Sequence, residues 1–408
     1  MKTKLTRFFC LALIALLLLG TVACKKDEEP DVGAQTSDTA APESDTNAEP
    51  DTPNEPDDPT TPPTQEGEGD GDDDGDDETQ TPTPNPVIPT LKTLHANYDG
   101  IKLIGPRVRT SNSQLYLDFM GQGFELALDC KGDKVSFMVG GSGSFLIWVD
   151  GVATKDASGN LLHAPSGNVK AIQLTGLTVG NHVIRVIKAD SSATQATVSG
   201  VLFAGNVLTT GTTADKALYV EFVGDGSLMN GADVTATFAY QTASALDADY
   251  MLSAWADASI ATGSHTVKAE YGYVDPFASS DKVSYDFDRK ANAVVLSVGG
   301  NDTCEAATFE QELASTFRTI LQNNGSATKI YLVYESTHAY KSEILSACES
   351  FGGSNVGVYT LELTGADQSA YAAQLTELIR NTVNSTPAGL SGTGTIVPWE
   401  NGVMTDPQ

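Results

Sequence analysis

Apolar residues fall at alternate positions in Leu115/Leu117/Phe119, Phe124/Leu126/Leu128 and Phe145/Ile147/Val149. This period of two predicts strands with one buried face over residues 91–210. Gly132-Asp133, Asp150-Gly151 and Gly180-Asn181 punctuate the series as turns, and no amphipathic helix of useful length interrupts it. A jelly-roll-like β-sandwich is the economical architecture for such a run. From about residue 211 the period changes. Strand-like runs at Leu218–Val223, Tyr250–Trp255, Ala293–Val298, Lys329–Tyr334 and Val356–Leu361 alternate with helical spacing near 233–247. Phe309/Leu313/Phe317/Ile320, Ile344/Leu345/Cys348/Phe351 and Tyr371/Leu375/Leu378/Ile379 keep that spacing. Strands alternating with helices predict a parallel, doubly wound α/β/α sheet over residues 211–386. In such a sheet the loops after 223, 255, 298, 335 and 362 share one edge, where ligands bind.

Composition divides the chain further. The formal charge of −29 is uneven: residues 25–90 hold 21 Asp/Glu, two Lys and 12 of the 18 prolines, whereas residues 91–408 carry −13. A segment so acidic and so poor in large apolar residues cannot bury enough surface to order itself. As a flexible coil its 66 residues would span about 45 Å, and charge repulsion extends it further. It reads as a stalk. The Asp72–Glu78 run lacks the alternating ligand spacing of a calcium loop. Ahead of the stalk, Lys2, Lys4 and Arg7 precede an apolar run from Phe8 to Leu19, the pattern of an export signal over residues 1–24. Residues 387–408 read as a tail without committed structure.

Leu19-Gly20-Thr21-Val22-Ala23-Cys24 resembles a bacterial lipobox, with Thr21 in place of the usual leucine. The resemblance implies a lipid on Cys24, an extracytoplasmic location and attachment to a bacterial membrane, facing the cell surface. Cys130, Cys304 and Cys348 have neither an even count nor metal-type spacing, so no disulfide framework, metal or cofactor is expected. The acidic balance excludes nucleic acid as a partner, since phosphate is repelled and no basic stripe exists. It also disfavours acidic polymers, which leaves neutral or acetylated polysaccharide as the expected partner.

Several blocks, in order, carry a family likeness. Gly105-Pro106-Arg107, the Leu115–Leu128 double strand, Trp148-Val149-Asp150-Gly151 and Gly180–Lys188 are followed by Val220–Asp225, Tyr285–Arg289 and Val298-Gly299-Gly300-Asn301-Asp302. Together they resemble carbohydrate esterase family 2, a β-sandwich followed by an SGNH-type (flavodoxin-like) hydrolase domain, over most of residues 100–385. The resemblance implies removal of acetyl groups from sugars by a serine nucleophile, a histidine base and an oxyanion hole that includes an asparagine. A serine hydroxyl is a poor nucleophile until a base takes its proton, and the oxyanion needs donors already aimed at it.

The chemistry-bearing positions depart from that pattern. Gly224-Asp225-Gly226-Ser227 stands where Gly-Asp-Ser is expected. Either Gly226 replaces the serine, or Gly226 is inserted and Ser227–Gly231 restores both the serine and a later glycine. A nucleophile moved by about 1 Å loses on the order of 100-fold in rate. Ala256 takes the place of the oxyanion-hole glycine, while Asn301 matches the family's asparagine. The histidine expected after the last strand is absent: Leu363–Ala370 holds none, and the chain's histidines are His95, His163, His182, His265 and His338. His338 and His265 are the candidates for a relocated base, and Asp367 is too weak a base for a serine proton. Trp255, Tyr271 and Tyr273 fall between the blocks bordering the cleft and are candidates to stack on sugar rings. Three readings follow: a glycan-directed surface module with incomplete catalytic machinery, an active O-deacetylase using Ser227 and a relocated histidine, or an envelope adhesion protein.

Overall fold

The computed structural model describes residues 86–385, except 96, 167–169, 192–194, 276–281 and 366. These belong to one compact unit, Thr81–Gln408. The export signal with Cys24, the stalk up to residue 85 and the tail from 386 lie outside the described residues.

Ten strands build an antiparallel sheet: β1 (Thr90–Thr93), β2 (Ile101–Ile104), β3 (Arg109–Ser111), β4 (Gln114–Leu117), β5 (Gly123–Gly141), β6 (Phe145–Val149), β7 (Val152–Ala153), β8 (Ala171–Thr175), β9 (Gly180–Lys188) and β10 (Ala196–Val207). The main path runs β3-β4-β10-β5-β9-β6-β7, with β1 added to β10 and with β2 and β8 added to β5. The alternating apolar residues supply its core: Leu115, Leu117, Phe124, Leu126, Leu128, Phe145 and Ile147 are all buried in one cluster. Gly132-Asp133 does not end a strand as its composition predicts. β5 runs through it, and residues 131–134 bulge where the register against β10 slips between Phe203 and Gly205. A bulge bends a strand while keeping its flanks paired.

Asp150-Gly151 does turn the chain, with both residues at positive φ. Asp150 Oδ2 meets His182 Nδ1 at 2.7 Å, and Asp150 Oδ1 accepts the Val183 N–H at 2.8 Å. The hydrogen bond to Asp150 raises the His182 pKa above 6.5. For Asp150, burial pulls the pKa upward, but the bonds from Val183 and His182 win and hold it below 3.8. A raised imidazole pKa stabilises the fold fully below 6.5 and loses that contribution as pH rises through the raised value. The depressed carboxylate pKa contributes above 3.8 and is lost as pH falls through it. The window of mutual support therefore lies between the two ordinary values. The melting-temperature deficit of His182→Gln is expected to be largest between pH 4 and 6.5 and to shrink above it. A deficit independent of pH from 5 to 9 would show that the pair carries no titration-linked stability.

The second sheet is parallel, ordered β12-β11-β13-β14-β15. Its strands are β11 (Tyr219–Gly224), β12 (Asp249–Ala254), β13 (Ala293–Ser297), β14 (Lys329–Glu335) and β15 (Val358–Leu363). Every residue of β11 and β13 is buried, as continuous apolar strands covered on both faces require. Helices α1 (Phe238–Ala245) and α5 (Gln368–Thr382) cover one face, and α3 (Ala306–Asn324) and α4 (Lys341–Phe351) cover the other. A single turn, α2 (Val267–Glu270), sits in the long β12–β13 connection. Leu345 keeps helical spacing but is exposed, since α4 buries Ile344, Ala347 and Cys348 instead. β15 begins two residues later than the apolar run suggests, because Gly352, Gly353 and Gly357 carry the chain through positive φ before it.

Arg107 joins the two sheets. Its side chain is 2% exposed and donates from Nε to Glu221 Oε1 at 2.8 Å, on the interior strand β11. Its Nη1 donates to the carbonyls of Tyr271 and Tyr273, and the guanidinium lies 4.3 Å from the Tyr285 ring centre. Glu221 also accepts from Ser253 Oγ and from the Tyr271 hydroxyl. Burial alone would lower the Arg107 pKa, but Glu221, through its charge and its hydrogen bond, together with Tyr271 and Tyr219, raises it above the ordinary value.

Candidate active-site cleft

The strand order reverses between β11 and β13, the place where an open parallel sheet offers a crevice at its carboxyl edge. Here the backbones are pressed together. A side chain at Gly224 would put its Cβ 2.0 Å from the Ser297 carbonyl oxygen, so only glycine fits. The next residue, Asp225, donates its N–H to that same oxygen. Its carboxylate then caps the 3₁₀ turn Gly226–Met229 by accepting the Ser227 N–H at 3.0 Å. Leu228 fixes the turn from below, fully buried in the core shared with α1 and α5.

This places Ser227 over the crevice, with its Oγ 2.6 Å from Ser297 Oγ. The cleft has a volume of about 390 Å³ and is lined by Ser227, Asn230, Ser297, His338, Gln368 and Tyr371 among others. The loops after β11, β13, β14 and β15 thus meet at one edge.

His338 reaches this cleft but offers no lone pair to Ser227. Its Nε2 lies 2.9 Å from the Val298 carbonyl, which can only accept, and its Nδ1 accepts the Tyr340 N–H at 3.2 Å. Both ring nitrogens are held by backbone, in the Nε2–H tautomer. The packing is close: a Cβ on Gly299 would meet His338 Cε1 at 2.6 Å, and Gly299 sits at φ +105°. His265 lies elsewhere, its Nδ1 3.2 Å from Glu270 Oε1, and does not line the cleft.

Asn301 is positioned as a clamp and not as an oxyanion donor. Its Nδ2 donates to the Ala256 and Ala258 carbonyls, both at 2.9 Å, which uses both amide hydrogens. Neighbouring Asp302 is buried and accepts the N–H groups of Ile260, Ala261 and Thr262. The two residues organise the loop after β12, including Ala256, whose Cα lies 4.0 Å from where a Gly226 side chain would begin. Asp367 likewise has a structural task, capping α5 by accepting the Ala370 N–H.

Gln368, which neither motif nor spacing singles out, and Tyr371, which spacing marks only as a helix position, do line the cleft. Gln368 stands in the segment where the resemblance places a histidine. Its Oε1 accepts the Phe238 N–H at 2.9 Å, and a carboxamide cannot take a proton from serine. Tyr371 packs edge-on against Phe238 and donates its hydroxyl to Glu335. Among the described residues no three His, Cys, Asp or Glu side chains gather as metal ligands.

No protein-family model and no curated protein matches the chain. Solved structures do. A family two carbohydrate esterase from Cellvibrio japonicus is similar with a TM-score of 0.62 at 16% identity, over 73% of this chain and 99% of that one. The chain has the family 2 carbohydrate esterase fold. An acetyl xylan esterase from Butyrivibrio proteoclasticus gives a TM-score of 0.59 at 14% identity, over 72% of this chain and 98% of that one. A family two esterase from Clostridium thermocellum, in complex with cellohexaose, gives 0.56 at 19% identity, over 69% and 98%.

On this esterase fold the three aromatics between the blocks are not a sugar platform. Trp255 and Tyr271 are 4% and 2% exposed. The Tyr271 hydroxyl is spent on Glu221, and the Trp255 indole donates to the His265 carbonyl. Tyr273 is half-buried with the Lys282 ammonium 5.4 Å over its ring. Phe238, Tyr334 and Tyr371 are the aromatic rings that line the cleft itself.

Proposed function

We propose that this chain is a lipid-anchored, glycan-directed module that holds a neutral or acetylated saccharide at the Ser227 cleft without turning it over. One observation carries the reading: the Ser227 hydroxyl is paired with another hydroxyl, that of Ser297, and with no imidazole among the described residues. A serine without a base is a weak nucleophile. The commitment of both Asn301 amide hydrogens to the Ala256 and Ala258 carbonyls removes a donor that the tetrahedral intermediate would need. The antiparallel module is read as the sandwich that accompanies the hydrolase-like domain, and residues 25–90 as the stalk that spaces both from the membrane lipid on Cys24. The cellohexaose bound by the Clostridium relative supports a β-linked glucan or xylan as the ligand class.

The test is hydrolysis of 4-nitrophenyl acetate and of acetylated xylan by the wild-type protein and by Ser227→Ala. Equal background rates are expected for the two proteins. General-base catalysis contributes on the order of 100- to 10,000-fold, so a loss of that size in Ser227→Ala would overturn the non-catalytic reading. It would favour an O-deacetylase in which His338, the one imidazole lining the cleft, breaks its backbone bonds to reach Ser227.

A further inference from the structure

A second groove lies at the opposite end of the parallel sheet. On the antiparallel sheet, Lys102 of β2, Glu125 of β5, Arg185 of β9 and Trp148 of β6 are successive cross-strand partners and form one transverse row. Glu125 accepts from Arg185 Nε at 3.1 Å and from the Thr213 N–H and hydroxyl, which pins the 213–216 connection beside the row. Helix α1 stands opposite. Tyr240 forms that wall, and Tyr250 forms the floor, edge-on to Tyr240 at 5.4 Å and bonded through its hydroxyl to the Gly121 carbonyl. The resulting groove has a volume of about 540 Å³, within the roughly 300–1,000 Å³ of small-molecule sites.

The groove is separate from the Ser227 cleft. Tyr250 pairs with Val220 near the start of β11, and Ser227 follows the end of that strand. At about 3.3 Å per residue the two are at least about 13 Å apart along the sheet.

Its chemistry is specific. Each charged group on the walls has an opposite partner: Arg185 with Glu125, Lys216 with Asp247, Asp150 with His182. Every cation and carboxylate on the walls is already engaged, so none is left free to select an ion. Three donors are unpartnered among the described residues: the Trp148 indole N–H, the Tyr240 hydroxyl and Arg185 Nη1. Rings that combine an apolar face with a polar tip suit ligands that are apolar on one face and hydroxylated at the edge. We infer that this groove is a second binding site, for a neutral oligosaccharide that stacks on Trp148 and takes hydrogen bonds from Tyr240 and Arg185. The inference does not depend on what Ser227 does.

Calorimetric titration of the full chain with cellohexaose, xylohexaose and mannohexaose tests it, alongside tryptophan fluorescence. Binding to one of them is expected to weaken severalfold to about tenfold in Trp148→Ala, the loss of one stacking contact, and severalfold in Tyr240→Phe, while Leu345→Ala, at an exposed residue that lines neither cleft, leaves it unchanged. Ligand should also shift tryptophan emission in the wild type and not in Trp148→Phe. If Trp148→Ala does not fold, Tyr240→Phe and the emission shift decide the matter. No binding by the wild type, or binding that neither groove variant alters, would overturn the site. Binding lost only through Ser227-cleft variants such as Tyr371→Ala would assign the saccharide to the other cleft and reject this one.

Discussion

Replacing Arg107 with alanine is expected to destabilise the protein by about 3–5 kcal/mol, the effect of removing one partner from a buried ion pair. The residue is enclosed on every side: Glu221 on β11, the carbonyls of Tyr271 and Tyr273, and the rings of Tyr271, Tyr285 and Phe287. Its loss strands the Glu221 carboxylate, 1% exposed, in the middle of the parallel sheet with only neutral donors, Ser253 and Tyr271. Two carbonyls of the β12–β13 connection lose their donor as well. Arg107→Lys should recover only part of the loss, because an ammonium lacks the planar fork that serves a carboxylate and two carbonyls at once. The double variant Arg107→Met/Glu221→Gln should be milder than Arg107→Ala, since no charge is left buried alone. Urea denaturation followed by circular dichroism measures all three. A cost below about 1 kcal/mol for Arg107→Ala, typical of an exposed pair, would mean that the junction does not depend on this contact.

Gly105-Pro106-Arg107 is legible in the sequence as a block of the sandwich, yet nothing in it names Glu221, 114 positions later, as the partner. Local pattern reports which face of a strand is buried, and it does so accurately for Leu115, Leu117, Phe124 and Phe145. It does not report what crosses from one sheet to another. Trp255 and Tyr271 follow the same rule. Their position between cleft-bordering blocks makes them look available to a ligand, and tertiary packing consumes both. The gaps in the catalytic pattern are more legible than the residues that fill them. The departure of Gly224-Asp225-Gly226-Ser227 from Gly-Asp-Ser and the absence of a histidine after β15 can be read directly. That Ser297 takes the Ser227 hydroxyl, that His338 is held by Val298 and Tyr340, and that Gln368 stands in the vacant segment depend on where strand ends meet. The second groove escapes sequence reading for the same reason, as Trp148 of strand β6 and Tyr240 of helix α1 lie 92 residues apart.

Gly224→Ala and Gly226→Ala differ by a single methyl group each, at two glycines flanking Asp225, and opposite outcomes are expected. At Gly224 the new Cβ falls 2.0 Å from the Ser297 carbonyl oxygen and 2.8 Å from its carbon, with φ at +153°. Both obstacles are backbone of the neighbouring strand, which no side-chain rotation relieves. The strands must part at the switch point, at a cost of about 3 kcal/mol or more, at or above the upper end of ordinary overpacking. The separation also breaks the Asp225 N–H bond to Ser297 and the contact between the two serine hydroxyls. At Gly226 the Cβ meets nothing nearer than the Ala256 Cα at 4.0 Å, and the backbone conformation is open to any residue. Alanine there removes freedom from the unfolded chain and should stabilise by about 0.4–1 kcal/mol. Denaturation midpoints of the two variants, with the denaturant slope held constant, compare them directly. If Gly226→Ala destabilises as strongly as Gly224→Ala, Gly226 is under backbone constraint, and the turn presenting Ser227 is tighter than its open surroundings indicate. If it stabilises, the turn that presents Ser227 does not need the conformational freedom of glycine at position 226.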